Sequence, residues 1–314
     1  MAKTLSLIVP FYNEYAYLAD CLDSVRAQGL GDRVEVIVVN DNPGDRNNGF
    51  VEEMAARYGA RFVHHAVNRG LSAARNTGME AATGDLTTFL DSDDYYTADG
   101  LARHLAFAEA EDAEIAHTPT VVKTLRGEVQ YVDWDGKLFL TRRGATDIHR
   151  FPAAQFIASS WSSIYRTGYL RRLNLRFDEE QRRFEDRLFV LEAVIPAERI
   201  AFAGDGIGGP VRVYRRRPGS ITTAGKQDDD RLLQAKLSRK CVDIVARAVK
   251  DRRLTRAHLQ REVMICLQRM VMNTAVADAS LEETEDLAEA RAIFSSIFAE
   301  HPVAAATYGD KTIL

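Results

Sequence analysis

At 314 residues, with 46% hydrophobic and 27% charged side chains, the chain has room for one large α/β domain with an appendage, or for two ordinary domains. Its net charge of −4 excludes a global basic field, so nucleic acid is not an expected partner. Cys21, Cys241 and Cys266 lie far apart without metal-ligand spacing, which points to reduced thiols rather than a disulfide framework.

The first element is the apolar run Leu5–Val9, closed by Pro10 and read as a buried strand rather than a signal peptide. Tyr15, Leu18, Leu22 and Val25 recur at helical spacing over Tyr15–Gln28. The β-branched run Val34–Val39 predicts a second strand, stopping at the turn formers Asn40-Asp41-Asn42-Pro43-Gly44. A helix (Gly49–Tyr58), a strand (Ala60–His64), a helix (Ser72–Ala82) and a strand (Leu86–Leu90) follow. Strands alternating with helices predict a mostly parallel sheet covered on both faces. Beyond it come strand-like runs at Glu128–Val132, Lys137–Leu140 and Val211–Tyr214, and a helix near Phe184–Val194. A linker is expected at Gly225–Asp230. From Arg231 to Glu300 the pattern is helical, basic to about Asn273 and acidic from Ser280.

Ligands of such sheets bind beyond the carboxyl ends of the strands, where Asp41 and Asp91-Ser92-Asp93-Asp94 fall. Two carboxylates at one sheet edge suit a divalent cation shared with phosphate oxygens, since Mg²⁺ and Mn²⁺ prefer oxygen ligands. The bland alternative is an acidic turn with Asp94 capping the next helix. In Asn68-Arg69-Gly70-Leu71-Ser72-Ala73-Ala74-Arg75-Asn76-Thr77-Gly78, Ser72 is a candidate cap. The helix it would open presents Arg75 and free N–H groups to an anion, or pairs Arg75 with a nearby acid. His64 and His65, consecutive on a strand, point to opposite faces and do not make a shared metal site.

Taken in order, LSLIVPFYNEYAYLADCLDSVRAQ, EVIVVNDNPGD and NRGLSAARNTGMEAATGDLTTFLDSDD resemble the nucleotide-binding half of the family-2 glycosyltransferases, which have the GT-A fold. The likeness continues more loosely through Trp161–Arg166, Arg176–Glu179 and Phe184–Phe189, and ends near Tyr214–Thr222. It implies a Rossmann-like, mixed but mostly parallel sheet flanked by helices. The catalytic domain would span 1–225 (1–95 nucleotide-binding, 96–225 acceptor half), followed by a helical region at 226–314. Pro10, Tyr12 and Glu14 match the first nucleotide-contacting loop, with Tyr12 near the base and Glu14 near the ribose. Asp41 and Arg75 match residues near the base, and Asp91, with Ser92 beside it, matches the residue at ribose or metal. Asp93 matches the principal metal ligand and Asp186 the catalytic base, with Glu185 as its support. A base is needed on the acceptor hydroxyl of an inverting transfer, and a positioned carboxylate is worth roughly 10²–10⁴-fold. Mn²⁺ or Mg²⁺ is the implied cofactor. The implied donor is a nucleoside-diphosphate sugar, UDP before GDP or dTDP. The acceptor would be a hydroxyl of a glycan or a lipid-linked molecule of the cell envelope.

The chain departs from the family pattern in places. Asn40-Asp41-Asn42-Pro43 stands for the common Asp-Asp-Gly-Ser, and Ser162-Ser163 for Asn-Lys. Where some relatives offer a histidine to the metal, Arg215, Arg216 and Arg217 stand near Ser220, and these arginines could bind diphosphate directly. No third metal ligand is identified. Trp161 is a stacking platform for an acceptor sugar or a core residue. The basic C-terminal helices either pack on the catalytic domain or a partner subunit, leaving a homo-oligomer open, or lie on an anionic bilayer. The expected location is therefore the cytoplasm, with the inner face of the plasma membrane as the alternative. Competing functions are a non-catalytic nucleotide-sugar-binding scaffold of the same fold, and a nucleotidyltransferase. The latter would open with a Gly-rich phosphate loop, and Pro10–Tyr15 has no glycine.

Overall fold

The computed structural model describes residues 4–123, 129–131, 139–217, 228–272 and 284–301. Its first part alternates as the pattern predicts: β1 (Leu5–Phe11), α1 (Tyr15–Arg26), β2 (Val34–Asn40), α2 (Asp45–Arg57), β3 (Arg61–His64), α3 (Leu71–Ala81) and β4 (Leu86–Phe89). Strand β1 does not stop before Pro10 but runs through it, in register with Val39 of β2. Alternate residues of a strand bond to opposite neighbours. Phe11 accepts from Asp41 on the β2 side, whereas Ile8 accepts from Leu90 on the β4 side. Pro10 therefore turns its missing donor to the side where β4 ends, and no ladder bond is lost. Helix α2 begins at Asp45 rather than Gly49, with Gly49 inside it.

Strands β3, β2, β1 and β4 pair in parallel, so their carboxyl ends share one edge. Helix α3 lies close on this sheet because its facing side is small. A Cβ added to Gly78 would stand 2.3 Å from the Ile8 side chain.

The second part holds β5 (Tyr95–Tyr96), α4 (Gly100–Glu111), β6 (Ile115–His117), β7 (Val121–Lys123), β8 (Val129–Tyr131), β9 (Gly144–Thr146), β10 (Ser163–Arg166), α5 (Thr167–Arg172), α6 (Glu185–Val194), β11 (Ile200–Phe202) and β12 (Arg212–Arg215). The large sheet runs β3-β2-β1-β4-β10-β6-β11-β9, with β10 antiparallel to both neighbours. A second sheet runs β5-β12-β7-β8. Of the strand expected at Lys137–Leu140, only Phe139 and Leu140 are described, and they are not in a strand.

Three helices follow among the described residues: α7 (Asp228–Lys250), α8 (Arg256–Met272) and α9 (Glu285–Glu300). The described end of the expected linker, from Asp228, is already helix. Leu237, Cys241, Val245 and Ala248 join the core that holds Leu188, Phe189 and Leu191 of α6. Leu232, Ala235 and Val242 pack with Val263, Cys266, Phe294 and Ile297. These apolar residues are thus covered by protein. Among the described residues no helix is long and apolar enough to cross a membrane.

Candidate active site

The carboxyl edge of the parallel strands carries three connected groups. In the first, buried Asp41 accepts from the backbone N–H of Arg69 at Oδ1 (2.8 Å) and of Gly70 at Oδ2 (2.7 Å). His65 donates from Nδ1 to the same Oδ1 at 2.7 Å, and Thr77 Oγ1 lies 2.9 Å from its Nε2. These bonds pin the loop that opens α3. Gly70, with φ of 90°, is the cap of that helix, so Ser72 does not play the expected part and is buried inside the first turn. The altered turn after β2 is tied back as well. Asn42 donates from Nδ2 to Asn13 Oδ1 and to the Tyr15 hydroxyl, both at 2.8 Å, which joins it to the Pro10–Glu14 loop.

The second group centres on Arg75, whose side chain is 1% exposed. Its Nη2 donates to Asp91 Oδ1 at 2.7 Å and its Nη1 to Glu185 Oε1 at 2.6 Å, with Asp186 Oδ1 at 3.4 Å. The guanidinium also lies over the Phe177 ring, 5.2 Å from its centroid. One buried cation therefore spans the end of β4 and the first turn of α6. Burial, followed by the neighbouring Asp186, pushes Glu185 up to about 7. Burial also raises Asp186, against the pull of Arg75. Asp186 Oδ1 accepts in addition from the N–H of Ser160 (3.1 Å) and from its hydroxyl. With that oxygen saturated, Oδ2 is the one left to take a proton.

In the third group, Arg217 donates from Nε to Asp93 Oδ2 (2.7 Å) and from Nη2 to Glu14 Oε1 (2.8 Å). Glu14 Oε2 accepts from the N–H of Tyr12 at 2.9 Å, with Ser92 Oγ at 3.4 Å. The Tyr12 side chain projects with 47% of the residue exposed. Burial raises Glu14, and Asp93 is raised by burial and then by Asp91. Asp94 is not a helix cap: its Oδ1 accepts from the N–H of Arg215 at 2.8 Å and fastens β12 to the end of β4.

Residues 6–172, more than half of the chain, match glycosyl transferase family 2. The chain belongs to that family. It is similar to the uncharacterized glycosyltransferase EpsJ of Bacillus subtilis, with 35% identity over 225 residues, 71% of this chain and 64% of the relative. It is also similar to the poly(ribitol-phosphate) beta-N-acetylglucosaminyltransferase TarS of Staphylococcus aureus, with 27% identity over 64% of this chain and 34% of that one. The chain thus spans less than two thirds of either relative. The solved structure of TarS 1–349 in complex with UDP-GlcNAc superposes with a TM-score of 0.72 at 22% identity, over 94% of this chain and 81% of that one. A mannosyltransferase from Pyrobaculum calidifontis, solved with GDP-Man and Mn²⁺, gives 0.57 at 18% identity, over 99% of this chain and 89% of that one. The fold is therefore GT-A, a mixed central sheet between helices with a helical C-terminal region.

Family-2 members commonly use a divalent metal. No cluster of three or more histidine, cysteine or acidic side chains suited to a metal occurs among the described residues. Asp91 and Asp93 nonetheless offer all-oxygen donors, and Asp93 carries the raised carboxyl of a partly buried acid beside a like charge. A hard dication completed by the oxygens of a diphosphate relieves that repulsion, so the pair fits Mg²⁺ or Mn²⁺.

The structure brings together Pro10, Tyr12, Glu14, Asp91, Ser92, Asp93 and Arg217 on one side, and Arg75, Glu185 and Asp186 on the other. Trp161 is 6% exposed and lies parallel to Tyr214, ring centroids 5.8 Å apart, which is the core alternative rather than an open platform. Ser220 lies outside the described residues. Sequence reasoning missed His65 and Ser160. Period-two alternation put His65 on the face opposite His64, yet only a look for a partner of Asp41 would have singled it out. Ser160 carries no local signal, because Asp186 is 26 positions away.

Proposed function

We propose that this chain is an inverting glycosyltransferase that moves a sugar from a UDP-sugar to a hydroxyl of a glycan or lipid-linked acceptor in cell-envelope polysaccharide synthesis. The observation that carries the reading is the arrangement of Asp186. Its Oδ1 is held by Ser160 and Arg75, its Oδ2 is left to act, and Arg75 couples it to Asp91 on the donor side. The names of similar proteins support the substrate class: TarS acts on poly(ribitol-phosphate) and its structure was solved with UDP-GlcNAc.

Tyr12 would lie against the base, and Glu14 and Asp91 toward the ribose. Asp41 acts indirectly in this arrangement, since its oxygens hold the loop before α3 rather than face outward. Asp93 with Asp91 would hold Mn²⁺ or Mg²⁺, which when bound neutralises charge on the departing diphosphate. Asp186 takes the proton of the acceptor hydroxyl as that oxygen attacks the anomeric carbon from the face opposite the diphosphate. Glu185, buried against Arg75, keeps the guanidinium in place. A nucleotide-sugar donor implies work in the cytoplasm, at the envelope's inner face when the acceptor is lipid-linked. The domain limits follow the same reading: a catalytic region to about residue 225, then the helical region.

The test is turnover of a panel of UDP-, GDP- and dTDP-sugars with and without Mn²⁺, on wild type and Asp186→Asn. Release of UDP that needs the metal and falls at least 10²-fold in Asp186→Asn is expected. Wild-type turnover in the variant would remove Asp186 as base. Donor binding without turnover of any acceptor would favour the scaffold reading.

A further inference from the structure

Arg187, the residue after Asp186, is buried with its side chain 6% exposed, and its Nη2 donates to Glu262 Oε2 at 2.6 Å. Glu262 belongs to α8, beyond the 6–172 family match, and its side chain is 0% exposed. Gln155 Nε2 donates to the same oxygen at 3.4 Å. Arg187 Nη1, Glu262 Oε1 and Gln155 Oε1 are buried without a hydrogen bond. A pair so poorly satisfied is weak support for folding, because desolvating two charges costs about as much as their attraction returns. Val263 and Cys266 of α8 already pack in the apolar cluster with α7 and α9. The pair therefore calls for another account, and its place supplies one. The N-terminal turn of α6 carries Glu185, Asp186 and Arg187 in succession, so two carboxylates and a cation share one buried turn. Arg75 answers Glu185 and reaches Asp186, and Glu262 answers Arg187.

We propose that Glu262 is a positioning residue for the transfer reaction. The C-terminal helical region supplies the counter-charge that keeps Arg187 neutralised and turned away from Asp186, and so preserves the basicity of the catalytic carboxylate. The proposal rests on Asp186 being the base. An uncompensated guanidinium one residue along the same buried turn stabilises the carboxylate form through the low-dielectric interior and makes it a poorer proton acceptor.

The experiment compares wild type, Glu262→Gln, Arg187→Met and the double variant Arg187→Met/Glu262→Met. Each is assayed for kcat, donor KM and the pH dependence of kcat, normalised to the folded fraction from circular dichroism. Glu262→Gln is expected to lose about tenfold in kcat at unchanged donor KM. The acid limb of its profile should move down by about one pH unit, the scale of one uncompensated charge nearby. The double variant carries neither charge, and is expected to recover kcat and the wild-type limb. A purely structural pair also predicts that the double variant recovers, but with the acid limb of Glu262→Gln unmoved; that result overturns the proposal. If Glu262→Gln does not fold, Arg187→Met decides: with Glu262 left uncompensated its acid limb is expected to move up, and an unmoved limb overturns the proposal. Failure of the underlying reading looks different: wild-type turnover in Asp186→Asn removes the base itself, whatever the Glu262 series does.

Discussion

Arg75 Nη1 and Glu185 Oε1 stand 2.6 Å apart although 110 positions separate them in the chain. The same guanidinium reaches Asp91, so the end of β4 and the first turn of α6 are joined by one buried cation. Lysine keeps the charge but is a point donor that cannot span both carboxylates. Arg75→Lys is therefore expected to fold with a lowered thermal midpoint and to lose about 10²-fold in turnover, the scale at which small misplacements of reacting groups are felt. Arg75→Met leaves acids uncompensated and is expected to cost about 3–5 kcal/mol in urea unfolding. Turnover of Arg75→Lys within threefold of wild type would show that the two halves are aligned by other contacts.

Arg217 bridges Asp93 and Glu14 and so occupies one oxygen of the proposed metal ligand. Removing it leaves two raised, partly buried carboxyls with less positive charge nearby. Arg217→Ala is expected to bind Mn²⁺ about tenfold more tightly without donor, measured by titration calorimetry. The same variant is expected to bind UDP more weakly, because it lacks a cation for the diphosphate. Unchanged affinity for both would mean that Arg217 contributes only to closing the loop.

Much of this site could be read along the chain, and the reason is geometric. Parallel strands deliver their last residues to one edge, so Asp41 after β2 and Asp91 and Asp93 after β4 meet without further information. Partners could not be read, because they are set by packing. Nothing local ties Ser160 to Asp186 or Glu262 to Arg187, and Arg75, expected beside the nucleotide base, spends its donors on acids. Three-residue strands such as β6, β9 and β11 are too short to show alternation, and they lay unread between better patterns. Ser72 misled because the helix starts earlier: Gly70 is its cap, and Asp41, just after β2, holds the N–H groups of Arg69 and Gly70 in front of it.

Phe184 is the residue before Glu185, and its backbone is left-handed at φ 62° with 43% of the residue exposed. A bulky side chain there costs roughly 1–2 kcal/mol, and burial returns little of it. Phe184→Gly is expected to raise stability by about 1 kcal/mol in urea unfolding, net of the greater freedom of glycine in the unfolded chain. Phe184→Ala keeps a Cβ and is expected to gain less. A loss of stability in the glycine variant would mean that the ring makes contacts worth more than the strain.

His104 and His117 are fully buried, and burial pushes both imidazoles down to about 3. His104 Nε2 donates to the carbonyl of Ala116 at 2.9 Å, and His117 Nδ1 lies 3.2 Å from both Ser162 Oγ and Ser163 Oγ. Both are neutral in the fold, whereas in the unfolded chain they take up protons as pH falls below about 6.5. Their contribution to stability is complete above that value and is lost as pH falls from about 6.5 toward 3. Each costs about 1.4 kcal/mol per pH unit in that window. Urea unfolding at pH 7.5 and 5.5 should therefore show a loss of roughly 3 kcal/mol from the pair. Glutamine can keep the donation to Ala116 but does not titrate, so His104→Gln should remove about half of that pH dependence. An identical slope in wild type and variant would mean that the acid loss comes from other groups.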